Sequence, residues 1–444
     1  MHRFIFILSG GSLILMLFLY GLFSVVVGYA GRSSQEIFDY LNHRLYGHTK
    51  LEFVFNPIID FARLVHDDIP RASRMGMINR MQTARYVERK ITPASKPVLV
   101  FSDKSVKQYA TISEAALYAP SGAIVEISAG DYTEAQAVWK QKEITIRGIG
   151  GPVRLFAGKK SAEGKAIWVF RTGKASISGI SFFDAKVHDM NGAGVRAEKG
   201  DFSFQDVHFE NNESGILTTA AVGTVRVDRS TFINNGNGDG YSHAIYAGNI
   251  DLLVVTRSVF HNTIVGHHIK SRAASSYVQD SKFYDELGLV SYELNFPNGG
   301  EVFVLNNYLE QNKYNENSVM LSYGEEGLLH KANILTVNKS TFRNVASGGT
   351  FVRTVIGSDK TIIENSRFMG NGIIDSGSKY RYALNNVWLG NVLFWKNTYF
   401  SDNQYKPALE QQKLELLKNK YCKECSVLAG ETGAFGIFSA ATPR

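Results

Sequence analysis

The chain has 444 residues, 44% of them hydrophobic, and a formal net charge of +7. That length exceeds one compact core in most architectures and suits one elongated repeat domain. A basic chain favours anionic partners, yet its Lys and Arg are dispersed and form no run; this argues against nucleic acid and leaves acidic glycans and membrane surfaces.

Residues 1–32 read as a signal anchor. Between Arg3 and Arg32 there is no charged residue, and residues 4–30 exceed the ~20 apolar residues that span a bilayer. A signal peptide, with Gly28 and Ala30 before the cleavage point, is the alternative, but the stretch is longer than a signal-peptide core of ~7–15 residues. Arg3 suits a cytoplasmic N-terminus, although Arg32 and Arg44 stand on the other flank. Residues 33–95 read as mostly helical, either a membrane-proximal stalk or an arm that packs on the main domain. The expected location is membrane-anchored, on the periplasmic or extracellular side.

At residue 96 the character changes. Val98 to Phe101 reads as a strand. Thr111 and Glu114 have capping-box spacing, and Ile112, Ala115, Ala116 and Ala119 give the following helix one apolar face. Ala123 to Ile127 and Ile144 to Gly148 read as strands, with Gly130-Asp131-Tyr132 as a turn between them.

A loose repeat follows. Its mark is a strand closing on an aromatic residue, often followed by Asn. The aromatics stand at 183, 209, 232, 260, 283, 308, 342 and 368, in steps of 26, 23, 28, 23, 25, 34 and 26. A period in the twenties with variable insertions marks a solenoid, and short alternating strands make it a β-solenoid. Asn at the turns tolerates left-handed backbone and can hydrogen-bond along the stack. Residues 406–444 depart from the repeat and suit a C-terminal cap over the open end. Their Cys422 and Cys425 stand C-x-x-C; with no second Cys/His cluster nearby, this fits a local disulfide or two free thiols better than zinc.

A helix reading Thr-Ile-x-Glu-Ala, a strand, Gly-Asp-Tyr and then coils ending in Phe-x-Asn-Asn resemble the right-handed parallel β-helix proteins of the pectate-lyase-like superfamily. The resemblance covers about residues 96–405. It implies an all-β, single-stranded parallel β-helix. The family holds polysaccharide lyases, glycoside hydrolases, mannuronan C5-epimerases and members without known catalysis. The Asp-Pro-His-Asp motif that C5-epimerases of this fold often carry is absent.

Alternation assigns the site. Ile245 and Ile269 lie 24 residues apart in similar phrases. With both inward, His243, His267 and Ser271 point inward as well, the two histidines as a stacked structural pair. Ala244, Tyr246, His268, Lys270 and Arg272 then point outward. With Leu294 inward in the next coil, Glu293 stands over His268 and Asn295 over Lys270. One outer face thus carries Tyr246, His268, Lys270, Arg272, Glu293 and Asn295, with Tyr292 beside them.

That set suits a uronic-acid polymer. Removal of the C5 proton requires the carboxylate to be neutralised, which Lys270 and Arg272 can do, as calcium does in related families. His268 or Lys270 can serve as base. Tyr246 or Tyr292 can protonate the leaving oxygen. Glu293, Asn295 and Tyr292 would bind substrate. No cofactor is required, although calcium is compatible. The alternatives are glycan binding without catalysis, an envelope-assembly role, and hydrolysis, for which the face offers only Glu293 where two carboxyls are needed. The Asn234–Gly240 stretch has calcium-loop composition but a lone Asp, and reads as a turn insertion. Trp388 and Trp395 fit a core or a sugar platform equally.

Overall fold

The computed structural model describes residues 90–394, except 104, 314, 347 and 391. The anchor expected in residues 1–32, the stalk to residue 89, Trp395 and the cap with its cysteines lie outside the described residues. Among the described residues no helix is long and apolar enough to cross a membrane.

The entry to the domain follows its local chemistry. Helix α1, Ile112–Tyr118, starts in a complete capping box. Glu114 N–H donates to Thr111 Oγ1 at 3.1 Å, and Thr111 N–H donates back to Glu114 Oε2 at 3.3 Å. Its apolar face, Ile112, Ala115 and Ala116, is buried. Strand β1, Val98–Ser102, pairs antiparallel with β2, Ser105–Tyr109, and with β3, Ala123–Tyr132. The turn expected at Gly130-Asp131-Tyr132 is instead the end of β3. Those residues pair with Val153, Arg154 and Leu155, and Asp131 receives Arg154 at 2.6 Å.

Among the described residues, every further pairing between two strands is parallel. Three ladders run along the chain. The first contains Val222–Asp228, Leu252–Thr256 and Ser275–Gln279. The second contains His208–Glu210, Thr231–Ile233, Val259–His261 and Lys282–Tyr284. The third contains Ile245–Ala247, His267–Ser271, Tyr292–Phe296 and Val319–Tyr323. The chain visits the three in turn and then repeats. This is a parallel β-helix, with the right hand that parallel crossovers take.

The interior is a column of stacked rings from the second ladder. Phe182, Phe209, Phe232, Phe260 and Phe283 follow one another at centroid spacings of 5.0, 5.0, 4.7 and 4.8 Å. Each such pair adds about 0.5–1.5 kcal/mol beyond burial. Leu309 takes the next place, paired with Phe283 and Phe342, and Trp388 extends the column 4.5 Å from Phe368. The sequence ruler therefore slips by one residue twice. Phe182 faces inward, while Phe183 stacks outside on Phe156 at 4.9 Å. Leu309 is the core residue, not Tyr308.

The corners have their own ladders. Asn211, Asn234 and Asn262 adopt left-handed backbone, as Asn does at low cost. Beside them, Asn212 and Asn235 turn inward and bond to Phe182 O and Phe209 O at 3.0 and 2.9 Å. At another corner a serine in several coils accepts the preceding coil's backbone N–H. Ser230 N donates to Ser258 Oγ, Ser258 N to Ser281 Oγ, and Ser340 N to Ser366 Oγ, at 3.1, 3.1 and 3.2 Å. Asn307 serves in the same series, accepting Ser281 N at 2.9 Å.

Candidate functional site

The inter-coil register is the expected one. Ile245 pairs with Ile269 and Ile269 with Leu294, while Tyr246 pairs with Lys270 and Lys270 with Asn295. The faces differ, because strands of the third ladder do not alternate strictly. Each turns two successive residues inward at its start: Ala244 and Ile245, His268 and Ile269, Glu293 and Leu294, Met320 and Leu321, all at 0% exposure. Alternation therefore does not assign both residues of each pair.

The histidines therefore exchange places. His268 lies in the core rather than on the outer face. Its ring sits 5.9 Å from both Phe260 and Phe283, and its Nδ1 shares a hydrogen bond with Thr263 Oγ1 at 2.8 Å. Burial pushes it down to about pH 3, so it is neutral at ordinary pH. A ring with no exposed surface cannot meet a polymer. His243 and His267 do stack, at 4.5 Å, but on the outer side of the ladder. They continue into Tyr246 at 5.8 Å and Tyr292 at 4.8 Å. His267 N–H donates to His243 Nδ1 at 3.1 Å, so the His243 proton sits on Nε2. Burial and the nearby Lys270 charge hold both imidazoles well below their usual range.

Glu293 also changes face. It is fully buried, and among the described residues no hydrogen-bond partner reaches either carboxylate oxygen. Burial and the neighbouring Asp285 push its carboxyl well up. Asp285, also buried, accepts Leu289 N–H at 2.8 Å and Val290 N–H at 3.2 Å, and burial raises it to about 7.

Tyr246, Lys270, Arg272 and Asn295 do come together outside the third ladder. Arg272 Nε donates to the Tyr246 hydroxyl oxygen at 3.1 Å, and its Nη1 to Asn298 Oδ1 at 2.6 Å. The main surprise is a carboxylate. Glu326 takes Lys270 Nζ on Oε1 at 2.8 Å and Arg272 Nη2 on Oε2 at 2.5 Å. Burial works to raise the Glu326 carboxyl, and the two cations outweigh it, holding it below its usual range. Glu325, beside it, accepts Asn295 Nδ2 at 2.5 Å and the Ser322 hydroxyl. Tyr292 is raised by burial and then by the Glu325 charge.

Glu325 and Glu326 arrive on the connection from Val319–Tyr323 to Ile334–Asn338, residues 324–333, which folds back over earlier coils. Backbone bonds fix it: Glu326 N to Pro297 O at 2.9 Å and Leu329 N to Asn298 O at 3.1 Å. His330 Nε2 meets Arg272 O at 3.2 Å. Its sequence signal is the longest step in the repeat, 34 residues, which marks an insertion between residues 308 and 342.

The Asn234–Gly240 stretch is a loop closed on itself and on its neighbour. Tyr241 N donates to Asp239 Oδ1, and Asn237 Nδ2 to Met190 O, both at 2.7 Å. Among the described residues, no group of three or more His, Cys, Asp or Glu is placed to hold a metal ion.

No family model and no curated protein matches the chain. Solved structures similar to it include ORF18 of Geobacillus virus E2, at 15% identity and a TM-score of 0.38 over 62% of this chain and 55% of that one. The chain thus spans little more than half the length of the viral protein. A second is DFA-IIIase from Arthrobacter chlorophenolicus A6 in complex with GF2, at 13% identity and 0.37, over 63% and 89%. A third is a pectin methylesterase in complex with hexasaccharide VII, at 13% identity and 0.30, over 76% and 97%.

Proposed function

We propose that the protein acts on an acidic, uronate-containing polysaccharide laid across the outer side of the third ladder. One observation carries the reading: a carboxylate already sits between Lys270 and Arg272, bonded to both. The same two donors would seat the carboxylate of a uronate. Neutralising that group lowers the cost of taking the proton from C5, where the developing charge would otherwise make a dianion.

With His268 in the core, Tyr246 is a proton-transfer group beside the clamp, one coil from Lys270 and bonded to Arg272. In the lyase form a base takes the C5 proton, the C4–O4 bond breaks, a C4–C5 double bond forms, and the departing O4 takes a proton. In the epimerase form C5 regains a proton on its opposite face. Tyr292 and Asn295 line the same side. Export and membrane anchoring by residues 1–32 belong to this reading, since such polymers lie outside the cytoplasm.

A second reading, glycan binding without turnover, draws support from the burial of His268, which removes an imidazole base from the face. The full chain incubated with alginate and pectate separates the two. Ultraviolet absorbance detects unsaturated products, and solvent-deuterium uptake at C5 detects epimerisation. Silence in both assays, with binding retained, excludes the catalytic reading. Absence of binding removes both.

A further inference from the structure

We propose that Glu326 is a tethered competitor for the ligand's carboxylate, and that its side chain gates the Lys270–Arg272 clamp. The inference rests on the reading above and adds its regulation. Three observations support it. First, Glu326 bonds to both cations, so a ligand carboxylate can take that seat only after Glu326 leaves. Second, its side chain is the most exposed of the three, at 39% against 14% for Lys270 and 23% for Arg272. The carboxylate can therefore swing toward solvent while the cations stay in place. Third, the connection's backbone is fixed by Pro297 and Asn298, and Asn298 Nδ2 also holds Gly327 O at 3.2 Å. Release thus needs a change of rotamer at one side chain rather than unfolding of the loop.

The gate explains how two adjacent cations coexist without ligand. Lys270 and Arg272 repel one another, and Glu326 offsets that repulsion until an external carboxylate replaces it. Glu325 is held separately by Asn295 and Ser322 and remains in place.

The test is titration of the full chain with a defined oligouronate, comparing wild type, Glu326→Gln and Arg272→Gln. Glu326→Gln keeps the side chain's shape and removes the competing charge. Affinity should rise by about tenfold, equivalent to about 1.4 kcal/mol. Melting temperatures confirm that each variant is folded. Unchanged or weaker binding by Glu326→Gln, while wild type binds and Arg272→Gln does not, overturns the gate and leaves the clamp standing. If no protein binds, the clamp and the gate both fall.

Discussion

His267 and His268 are neighbours in sequence and lie on opposite sides of one sheet. The first stacks on His243 outside, and the second packs between Phe260 and Phe283 inside. Their substitution should therefore have separable effects. His268→Ala removes a buried ring and the partner of Thr263, and should cost about 2–4 kcal/mol. Oligouronate affinity per folded molecule should be unchanged. Denaturant melts paired with titrations check this; lost affinity at unchanged stability would put His268 back on the outer face.

Asp285 gives stability a particular pH dependence. Its folded value of about 7 lies above the ordinary ~3.9 of an unfolded Asp. The native state thus binds the proton more tightly. This contribution is complete below about pH 4 and is lost as pH rises toward 7. Glu293 acts in the same direction. The depressed histidines act oppositely, losing stability as pH falls below their usual range. Asp285→Asn keeps an acceptor for Leu289 and Val290 and abolishes this titration. The melting temperature of the variant minus that of wild type should increase from pH 4.5 to 8. Parallel curves would contradict the buried-carboxyl account.

Ser258 tests the corner ladder. Its Oγ accepts Ser230 N–H at 3.1 Å and donates to Thr256 O at 2.8 Å. Ser258→Ala leaves the buried Ser230 N–H without its acceptor and should cost about 1–3 kcal/mol. A urea midpoint equal to that of wild type would mean the ladder contributes nothing to stability.

Gly266 holds the site strand at its correct height. A Cβ there would lie 1.9 Å from the Ser242 carbonyl oxygen, inside van der Waals contact with the coil below. Gly266→Ala should displace His267–Ser271, lowering stability by at least about 1–3 kcal/mol and weakening oligouronate binding in the same variant. Thermal melts and titration together read both effects. Binding that survives intact would show that strand placement is not limiting.

The sequence was most legible where local chemistry and periodicity agree. The Thr111–Glu114 cap is local, and the phenylalanine column recurs over most coils, so both the entry helix and the solenoid could be read directly. At Phe182-Phe183 two rings compete for one place, and at Tyr308-Leu309 an aromatic stands beside the true core residue. Spacing alone cannot choose in either case. The faces of the site strands were less legible for a different reason. Register survived, so Lys270, Arg272, Tyr246 and Asn295 came together as expected. Strict alternation fails at Ala244-Ile245, His268-Ile269 and Glu293-Leu294, where both residues of each pair are buried, and one histidine and one carboxyl lie in the core. Glu326 lies 56 residues after Lys270, and only the fold-back of residues 324–333 brings them together. The long step betrays an insertion but not where it goes.

The central claim is that Lys270 and Arg272 recognise a sugar carboxylate. The most direct measurement is calorimetric titration of the full chain with an oligouronate and with its methyl ester, beside a Lys270→Gln/Arg272→Gln double variant. The account predicts that wild type binds the acid and not the ester, and that the folded double variant binds neither. Equal affinity for acid and ester, or undiminished binding by the double variant, would contradict it.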